Sequence, residues 1–143
     1  MSGALRSRSS SLDVRVRYAD TDQAAVVHHA AYLAFLEAGR IEHFRTHGFD
    51  YAAFEAATRK GLPVVELRVR YVAPARFDDA LTVETRTATV TRFSMWLEGT
   101  VRRGEVVLVE SRVRIACVDM ATERPARLPR ELLDACLEPG WEL

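Results

Sequence analysis

The sequence predicts an α+β fold in which an antiparallel sheet packs against a long helix. Residues 30–47 form a strongly apolar stretch with helical periodicity, and a shorter helical stretch follows it. After residue 60, segments of alternating apolar and polar residues take over, separated by turn residues. Helix and strand patterns that occupy separate parts of a chain are typical of the α+β class.

Composition limits the kinds of partner that the protein can hold. The chain has 143 residues, enough for one domain, with 20 basic and 20 acidic side chains and no formal net charge. With no net positive charge, the chain has no overall electrostatic field that would attract nucleic acid or an anionic membrane. No apolar run approaches the ~18 residues of a membrane span, and the two cysteines have no disulfide-scaffold or metal spacing. We therefore expect a cytoplasmic protein with reduced thiols.

The chain begins with a polar, basic segment, residues 1–11, for which we predict a flexible arm. A single domain over residues 12–143 follows. Its first strand is predicted over residues 12–18, where apolar and charged residues alternate. The long helix is predicted from about Ala30 to His47, with Gly48 at its C-terminal end. Gly39 inside this helix predicts a close approach of the sheet at that point.

Residues 50–59 predict a second, short helix, and the rest of the domain is predicted as strands with one final helix. The strands cover residues 65–73, 81–90, 95–103 and 106–118, and the final helix covers residues 129–137. Gly104 and Glu105 suit a tight hairpin between the last two strands. Such a sheet leaves edge strands exposed, and pairing of two edges predicts a homodimer or a homotetramer.

The loop between the first strand and the long helix carries two acids, Asp20 and Asp22, just upstream of His28 and His29. Unpaired backbone N–H groups in the first turn of a helix can polarise a carbonyl, and a nearby carboxylate can act as a base or nucleophile. By itself, the same pattern is more often a helix cap. Asp20 is interpreted as a supporting loop residue.

Several stretches resemble the hot-dog-fold acyl-CoA thioesterases, in particular the branch associated with the Tol-Pal envelope system and the 4-hydroxybenzoyl-CoA thioesterases. The resemblance lies in VRYADTDQAAVVHHAAYLAFLEAGR, LRVRYVAPARFDD, CVDM and RPARLP. It implies an antiparallel sheet of about five strands wrapped around a long central helix, with active sites at a dimer interface.

The resemblance also implies site residues. Asp22 matches the catalytic aspartate, as general base or nucleophile, and His29 supplies the backbone amide that polarises the thioester carbonyl. Arg92 matches a basic position that binds the coenzyme A substrate, and neither a metal nor a bound cofactor is implied. The family usually has glycine at the position of Ala25, and asparagine or serine at that of Ala31.

These two differences motivate an alternative function, a non-catalytic module that binds acyl-CoA or acyl-carrier protein. A second alternative is dehydration of a 3-hydroxyacyl thioester. His43 and His47 lie four residues apart, as two metal ligands would, but no third ligand is nearby, so we expect a solvated helix end there. Glu37 and Arg40 are expected to form an ion pair on the helix.

Overall fold

The computed structural model of the chain describes residues 5–143. The first four residues of the predicted N-terminal arm lie outside the described residues. Strand pairing begins at Ser9, three residues before the alternation predicts. The segment before it hydrogen-bonds to the C-terminal segment: the Arg8 amide donates to the Cys136 carbonyl (2.9 Å) and the Glu138 amide to the Arg6 carbonyl (2.8 Å).

The described chain contains eight strands and three α-helices. The helices are α1 (Ala31–Thr46), α2 (Tyr51–Thr58) and α3 (Arg130–Cys136), and one 3-10 turn covers Tyr18–Asp20. The strands are β1 (Ser9–Arg15), β2 (Lys60–Gly61), β3 (Val64–Tyr71), β4 (Ala80–Val90), β5 (Ser94–Arg103), β6 (Val106–Ala116), β7 (Val118–Asp119) and β8 (Arg124–Pro125).

Five strands form one antiparallel sheet in the order β1-β4-β5-β6-β3, so the predicted class and strand number are confirmed. β1 and β3 are its edges. The hairpin between β5 and β6 turns at Gly104, whose φ of 59° is the left-handed value that a tight turn of this kind requires. β2, β7 and β8 form a small second sheet that the sequence pattern did not predict.

Helix α1 lies directly on the main sheet, and Gly39 is the point of closest approach. A Cβ atom at Gly39 would lie 2.6 Å from Cγ1 of Val83 and 3.1 Å from Oγ1 of Thr85. The predicted close contact at this glycine is therefore confirmed. Gly48, with φ of 101°, follows the last turn of α1, as the sequence predicts.

The core consists of two apolar clusters, one at each end of the sheet. One surrounds Phe44 with α2 and α3, and the other surrounds Tyr32 and Phe35 near the start of α1. Between them run five small or polar buried residues, which we call the polar belt: Gly39, Thr85, Thr87, Gly99 and Ser111. The Ser111 hydroxyl donates to the Gly99 carbonyl (3.0 Å), so this buried hydroxyl has its hydrogen-bond partner within the belt.

The solvated helix end predicted at His43 is wrong, because the His43 side chain is completely buried. Its Nδ1 lies 2.9 Å from the Ser10 hydroxyl and its Nε2 lies 3.4 Å from the Thr87 hydroxyl. Burial, with a smaller contribution from His47, lowers the pKa of His43 to about 4. His43 is therefore a neutral residue that joins α1 to β1 and β4.

Candidate active site

The loop that carries the two aspartates is fixed by backbone pairing with the segment before β4. The Val16 amide donates to the Asp79 carbonyl (3.0 Å), and the Val27 amide donates to the Ala75 carbonyl (2.9 Å). These two bonds hold the beginning and the end of the loop against the same neighbouring segment. Residues 17–26 therefore project from a rigid base, at the N-terminal end of α1.

Asp20 is a structural residue of this loop. Its side chain is buried, and both carboxylate oxygens accept hydrogen bonds from the Arg17 guanidinium (2.9 and 3.2 Å). The Arg17 amide also donates to this carboxylate (2.8 Å). These bonds, led by the guanidinium contact, lower the pKa of Asp20 against the effect of burial. The supporting role that the sequence indicated for Asp20 agrees with this geometry.

Asp22 lies at a tight turn and is exposed. Its Oδ1 accepts the Ala24 amide (2.8 Å), which fixes the orientation of the carboxylate while its second oxygen has no hydrogen bond from residues 5–143. Ala25 closes the turn with φ of 64°. The turn therefore follows the path that a glycine would take. Because alanine rarely adopts this left-handed conformation, the backbone beside the carboxylate is strained.

A histidine side chain holds the backbone just before α1. Nδ1 of His28 accepts the Ala30 amide (3.1 Å), which fixes the orientation of the ring. The rings of His28 and His29 lie 4.3 Å apart between centroids. The His29 amide precedes the helix and donates to no acceptor within the described chain. A free amide here can donate to an oxygen that gains negative charge during a reaction.

Two tyrosines that sequence reasoning missed hold this region together. The Tyr71 hydroxyl donates to the His29 carbonyl (2.8 Å), which ties the end of β3 to the turn before α1. The Tyr32 hydroxyl accepts the Ala75 amide (2.9 Å), and its ring packs edge-on against Tyr71 at 5.6 Å. Both tyrosines match their helix or strand pattern, so no signal in one sequence distinguishes them from core residues.

A cavity of about 380 Å³ brings Asp22 and His29 together. Its walls come from the loop, the start of α1 and the end of β3: Asp22, Val26, Val27, His29, Tyr32, Tyr71, Val72, Ala73 and Pro74. Most of the lining is apolar, and the carboxylate and the helix end supply its polar groups. In an apolar cleft, a free amide can polarise a carbonyl group, and a carboxylate can attack it or activate water to do so.

Arg92 is not part of this cavity. It lies in the turn between β4 and β5, at the opposite end of β4 from the loop, which is a span of about 30 Å for a strand of this length. There it lines a second cavity of about 810 Å³ together with Arg127, Arg130 and Trp141. Within one chain, therefore, Asp22 and Arg92 do not meet.

Side-chain geometry decides one further expectation. Glu37 and Arg40 do not approach within 4 Å of each other, so the ion pair predicted on α1 is absent from the described residues. Burial lowers the pKa of Arg40, whose side chain lies against the sheet.

No group of three or more metal-binding side chains occurs among residues 5–143. In the same range, no helix has the length and apolarity to cross a bilayer.

The chain is similar to named thioesterases along most of its length. It is 37% identical over 121 residues to the acyl-CoA thioester hydrolase YbgC of Escherichia coli O6:H1, covering 84% of this chain and 90% of the relative. It is 35% identical over 122 residues to the acyl-CoA thioesterase YbgC of Haemophilus influenzae, with 85% and 90% covered.

A solved thioesterase structure has the same fold as this chain. The probable thioesterase from Bartonella henselae superposes with a TM-score of 0.81 at 32% identity, covering 85% of this chain and 100% of that one. The sequence model of the thioesterase-like superfamily matches residues 16–136, from the end of β1 to the end of α3. The chain thus belongs to the thioesterase-like superfamily, as a hot-dog-fold member in which α1 is the central helix.

Proposed function

We propose that the protein hydrolyses an acyl-CoA thioester to the free acid and coenzyme A. The observation that carries this proposal is the cavity that Asp22 and His29 line together with apolar side chains. The names of the Escherichia coli and Haemophilus influenzae relatives support the substrate class. Arg92 is proposed to bind the coenzyme A part of the substrate.

In the proposed reaction the thioester carbonyl oxygen accepts the His29 amide, which stabilises the charge that develops on it. As a general base, Asp22 takes a proton from water, and the oxygen of that water forms a bond to the carbonyl carbon. As a nucleophile, Asp22 would bond to that carbon itself, and water would then cleave the resulting mixed anhydride. In both routes the C–S bond breaks, and the coenzyme A thiolate leaves and is protonated.

The active unit is proposed to be a dimer formed through the edge of β3. Among residues 5–143 this strand pairs only with β6, and its outer edge exposes a row of apolar side chains. Each of these residues exposes between 42% and 50% of its surface to solvent: Val64, Val65, Leu67, Tyr71 and Val72. A long apolar edge strand in a stable protein is normally covered, and a second copy of the same strand is self-complementary.

The register of the sheet predicts which residues of the partner subunit the dimer brings near Asp22. Two identical strands related by a twofold axis across the sheet run antiparallel, so the Tyr71 end of one faces the Val64 end of the other. Val64 pairs with Ile115, which pairs with Met95 next to the turn that carries Arg92. Arg92 of the partner subunit would then lie on the side of the dimer where Asp22 stands.

The cytoplasm is proposed as the compartment. Cys117 and Cys136 are both unpaired and buried, and burial raises the pKa of each thiol, to about 12 for Cys136. Such thiols are unreactive side chains of the core. A chain with two unpaired cysteines suits a reducing compartment.

The first experiment measures release of free coenzyme A from short-chain, long-chain and aromatic acyl-CoAs with a thiol reagent. Asp22→Asn should lower turnover by a factor of about 100 to 10,000, the usual loss when a general base is removed. Asp78→Asn is the matched control, because Asp78 is also an exposed loop aspartate and asparagine tolerates its φ of 69°. Its turnover should stay within about twofold of the native value.

Near-normal turnover in Asp22→Asn would exclude the proposed role of this carboxylate. The non-catalytic alternative makes a different prediction for the native protein. Acyl-CoA would raise the melting temperature without releasing any thiol, on every substrate tested.

A mixing experiment tests the shared site. Asp22→Asn and Arg92→Glu chains, each impaired alone, are unfolded together and refolded, then assayed at low substrate concentration. Random pairing gives half mixed dimers, each with one site that has both native residues, so about one quarter of native activity should return. If Asp22 and Arg92 of the same chain served one site, mixing would restore nothing.

A further inference from the structure

The turn of residues 28–30, just before α1, leaves the His29 amide free while the groups around it are bonded. The His28 amide donates to the Asp20 carbonyl (2.7 Å), and the His28 carbonyl accepts the Ala31 amide (2.9 Å). The peptide group that contains the His29 N–H therefore has its other end, the His28 carbonyl, tied to the helix. The N–H itself has no acceptor within residues 5–143.

The next peptide group along the chain is tied at both ends. The Ala30 amide donates to Nδ1 of His28 (3.1 Å), and the His29 carbonyl accepts the Tyr71 hydroxyl (2.8 Å). The Ala30 carbonyl in turn accepts the Leu33 amide (3.1 Å). Because peptide groups are planar, a free N–H changes direction only when the peptide groups beside it rotate. These bonds therefore fix the direction in which the His29 N–H points.

Tyr71 differs from the other partners because it reaches the turn from a distant part of the fold. The others belong to the loop or to the start of α1, so they can shift together with the turn. Tyr71 is the last residue of β3, 42 positions away along the chain, and it lies opposite Val109 of β6 in the main sheet. Its hydroxyl therefore fixes the turn relative to the sheet.

The Tyr71 side chain is itself held in one place. Its ring packs edge-on against Tyr32, with 5.6 Å between the centroids, and the Tyr32 hydroxyl is occupied by the Ala75 amide. The ring also lines the cavity that contains Asp22. A tyrosine has only two side-chain torsions to fix, so a packed ring places its hydroxyl accurately at little cost in entropy.

We propose that Tyr71 is a positioning residue for the reaction: through the His29 carbonyl, its hydroxyl holds the His29 amide in the direction from which it meets the thioester carbonyl oxygen. The inference rests on the proposed function and adds a residue to it. A donor that is already oriented stabilises the developing charge without reorganisation. The Tyr71 hydroxyl acts through the amide, because its proton is donated to the His29 carbonyl.

The kinetic test uses Tyr71→Phe, which removes the hydroxyl and keeps the ring. A misplacement of about 1 Å in an active site can cost ~100-fold in rate, so a partial loosening of the amide should lower kcat about tenfold. The KM should stay within about twofold of the native value, since the ring still lines the cavity and the amide acts on the transition state.

Tyr51→Phe is the matched control. The Tyr51 hydroxyl also bonds a backbone group, the Leu62 amide (2.7 Å), but it lies in the other apolar cluster, around Phe44. Both variants lose one hydrogen bond of a tyrosine to the backbone. Tyr51→Phe should therefore lose some stability, yet its kcat should stay within about twofold of the native value. Melting curves of both variants establish that the assays measure folded protein.

A spectroscopic test needs neither turnover nor ligand. The chain has four histidines, so labelling with ¹⁵N-histidine gives four backbone amide signals. The His29 amide should have an order parameter of about 0.85 in the native protein, as rigid backbone does, and fall towards about 0.6 in Tyr71→Phe. His43, which is buried in α1, should keep its value and serves as the internal reference.

An unchanged order parameter at His29, or a kcat of Tyr71→Phe within twofold of the native value, would overturn the inference and leave the proposed function intact. An equal loss of kcat in Tyr51→Phe would overturn it too, since the loss would then follow stability and not position. A native protein that hydrolyses no thioester would overturn the proposed function. A lowered order parameter in Tyr71→Phe would, in that case, still support Tyr71 as the residue that fixes the amide.

Discussion

The two aspartates of the loop show how two residues of one type acquire different roles. Asp20 is buried and accepts three hydrogen bonds from Arg17. Asp22, two positions later, is exposed and accepts one backbone amide. A carboxylate whose lone pairs are already engaged is a poor base, so this difference supports the proposed chemistry at Asp22 and a supporting role for Asp20.

At Ala25 the backbone takes the left-handed conformation at φ of 64°. Glycine removes a strain of about 1–2 kcal/mol there and adds about 0.5–1 kcal/mol of chain entropy to the unfolded state. Ala25→Gly should therefore raise the free energy of unfolding by about 0.5 kcal/mol, measured by denaturant titration. Ala24→Gly is the control, because Ala24 has no such strain and should lose stability. Loss of stability in Ala25→Gly would show that the turn is unstrained.

Single residues also mark where sequence reasoning succeeds and fails. Resemblance pointed to Asp22, whereas the D-x-D pattern before a helix is by itself more often a helix cap, and the catalytic role of Asp22 stays a prediction. The close approach of the sheet at Gly39 was predicted correctly, because a glycine inside a helix is a local feature. His43 was misplaced, although it continues the buried row of Tyr32, Phe35 and Gly39 at helical spacing. A histidine in such a row is buried when a partner such as Ser10 or Thr87 can accept or donate a hydrogen bond, and those partners are distant in sequence.

Among the elements, α1 depends most on its contact with the sheet. Gly39→Ala gains about 1 kcal/mol of helix propensity, but its Cβ would lie 2.6 Å from Val83, and such overpacking costs about 1–3 kcal/mol. We expect a net loss of up to about 2 kcal/mol in the free energy of unfolding.

Two variants make this test specific. Ala38→Gly, at an exposed position of the same helix, should lose about 1 kcal/mol from propensity alone. The double variant Gly39→Ala with Val83→Ala removes the clashing methyl groups, so the two changes should couple favourably. An alanine at position 39 that stabilises the protein would show that helix and sheet can separate without penalty.

The predictability of the elements follows their length. The helices and the long strands were predicted to within a few residues, because each repeats its period several times. β2, β7 and β8 have two residues each, too few to show any period. The first strand was predicted through Tyr18, but that side chain is 75% exposed and stacks on Phe77 at 3.9 Å, because the chain leaves the sheet after β1.

For the molecule as a whole, His43 predicts how stability depends on pH. Its pKa falls from an unfolded value of 6.5 to about 4 on folding, so the unfolded state binds the proton more tightly. The stability that this neutral histidine contributes is complete above pH 6.5 and is lost as the pH falls towards 4. The difference amounts to about 3 kcal/mol, from the ~2.5-unit shift at 1.36 kcal/mol per unit.

Denaturant titrations between pH 7 and pH 4 measure this loss. His43→Asn should flatten the profile in that window, whereas His47→Asn, at an exposed position one turn later, should leave it nearly unchanged. The carboxylates of Asp20 and Asp79, whose pKa values are lowered in the fold, lose their contribution at still lower pH. A native profile that is flat from pH 7 to 4 would contradict the burial of a neutral His43.

The complete site is the feature that a single sequence predicts least well. Resemblance implied Asp22, His29 and Arg92 as site residues, which stays a prediction, and no local pattern shows that Arg92 lies at the far end of β4. The position of a residue relative to the edge of a sheet depends on strand order, which is a property of the whole fold.

The polar belt between the two apolar clusters divides the core into two halves that share α1 and the long strands. The residues of the belt contribute few apolar contacts, so packing across the belt stabilises each half only weakly. Amide hydrogens in the two halves should therefore exchange with deuterium as two separate groups, each with its own opening free energy. The half that holds Asp22 can then open and close while the other half keeps the chain folded.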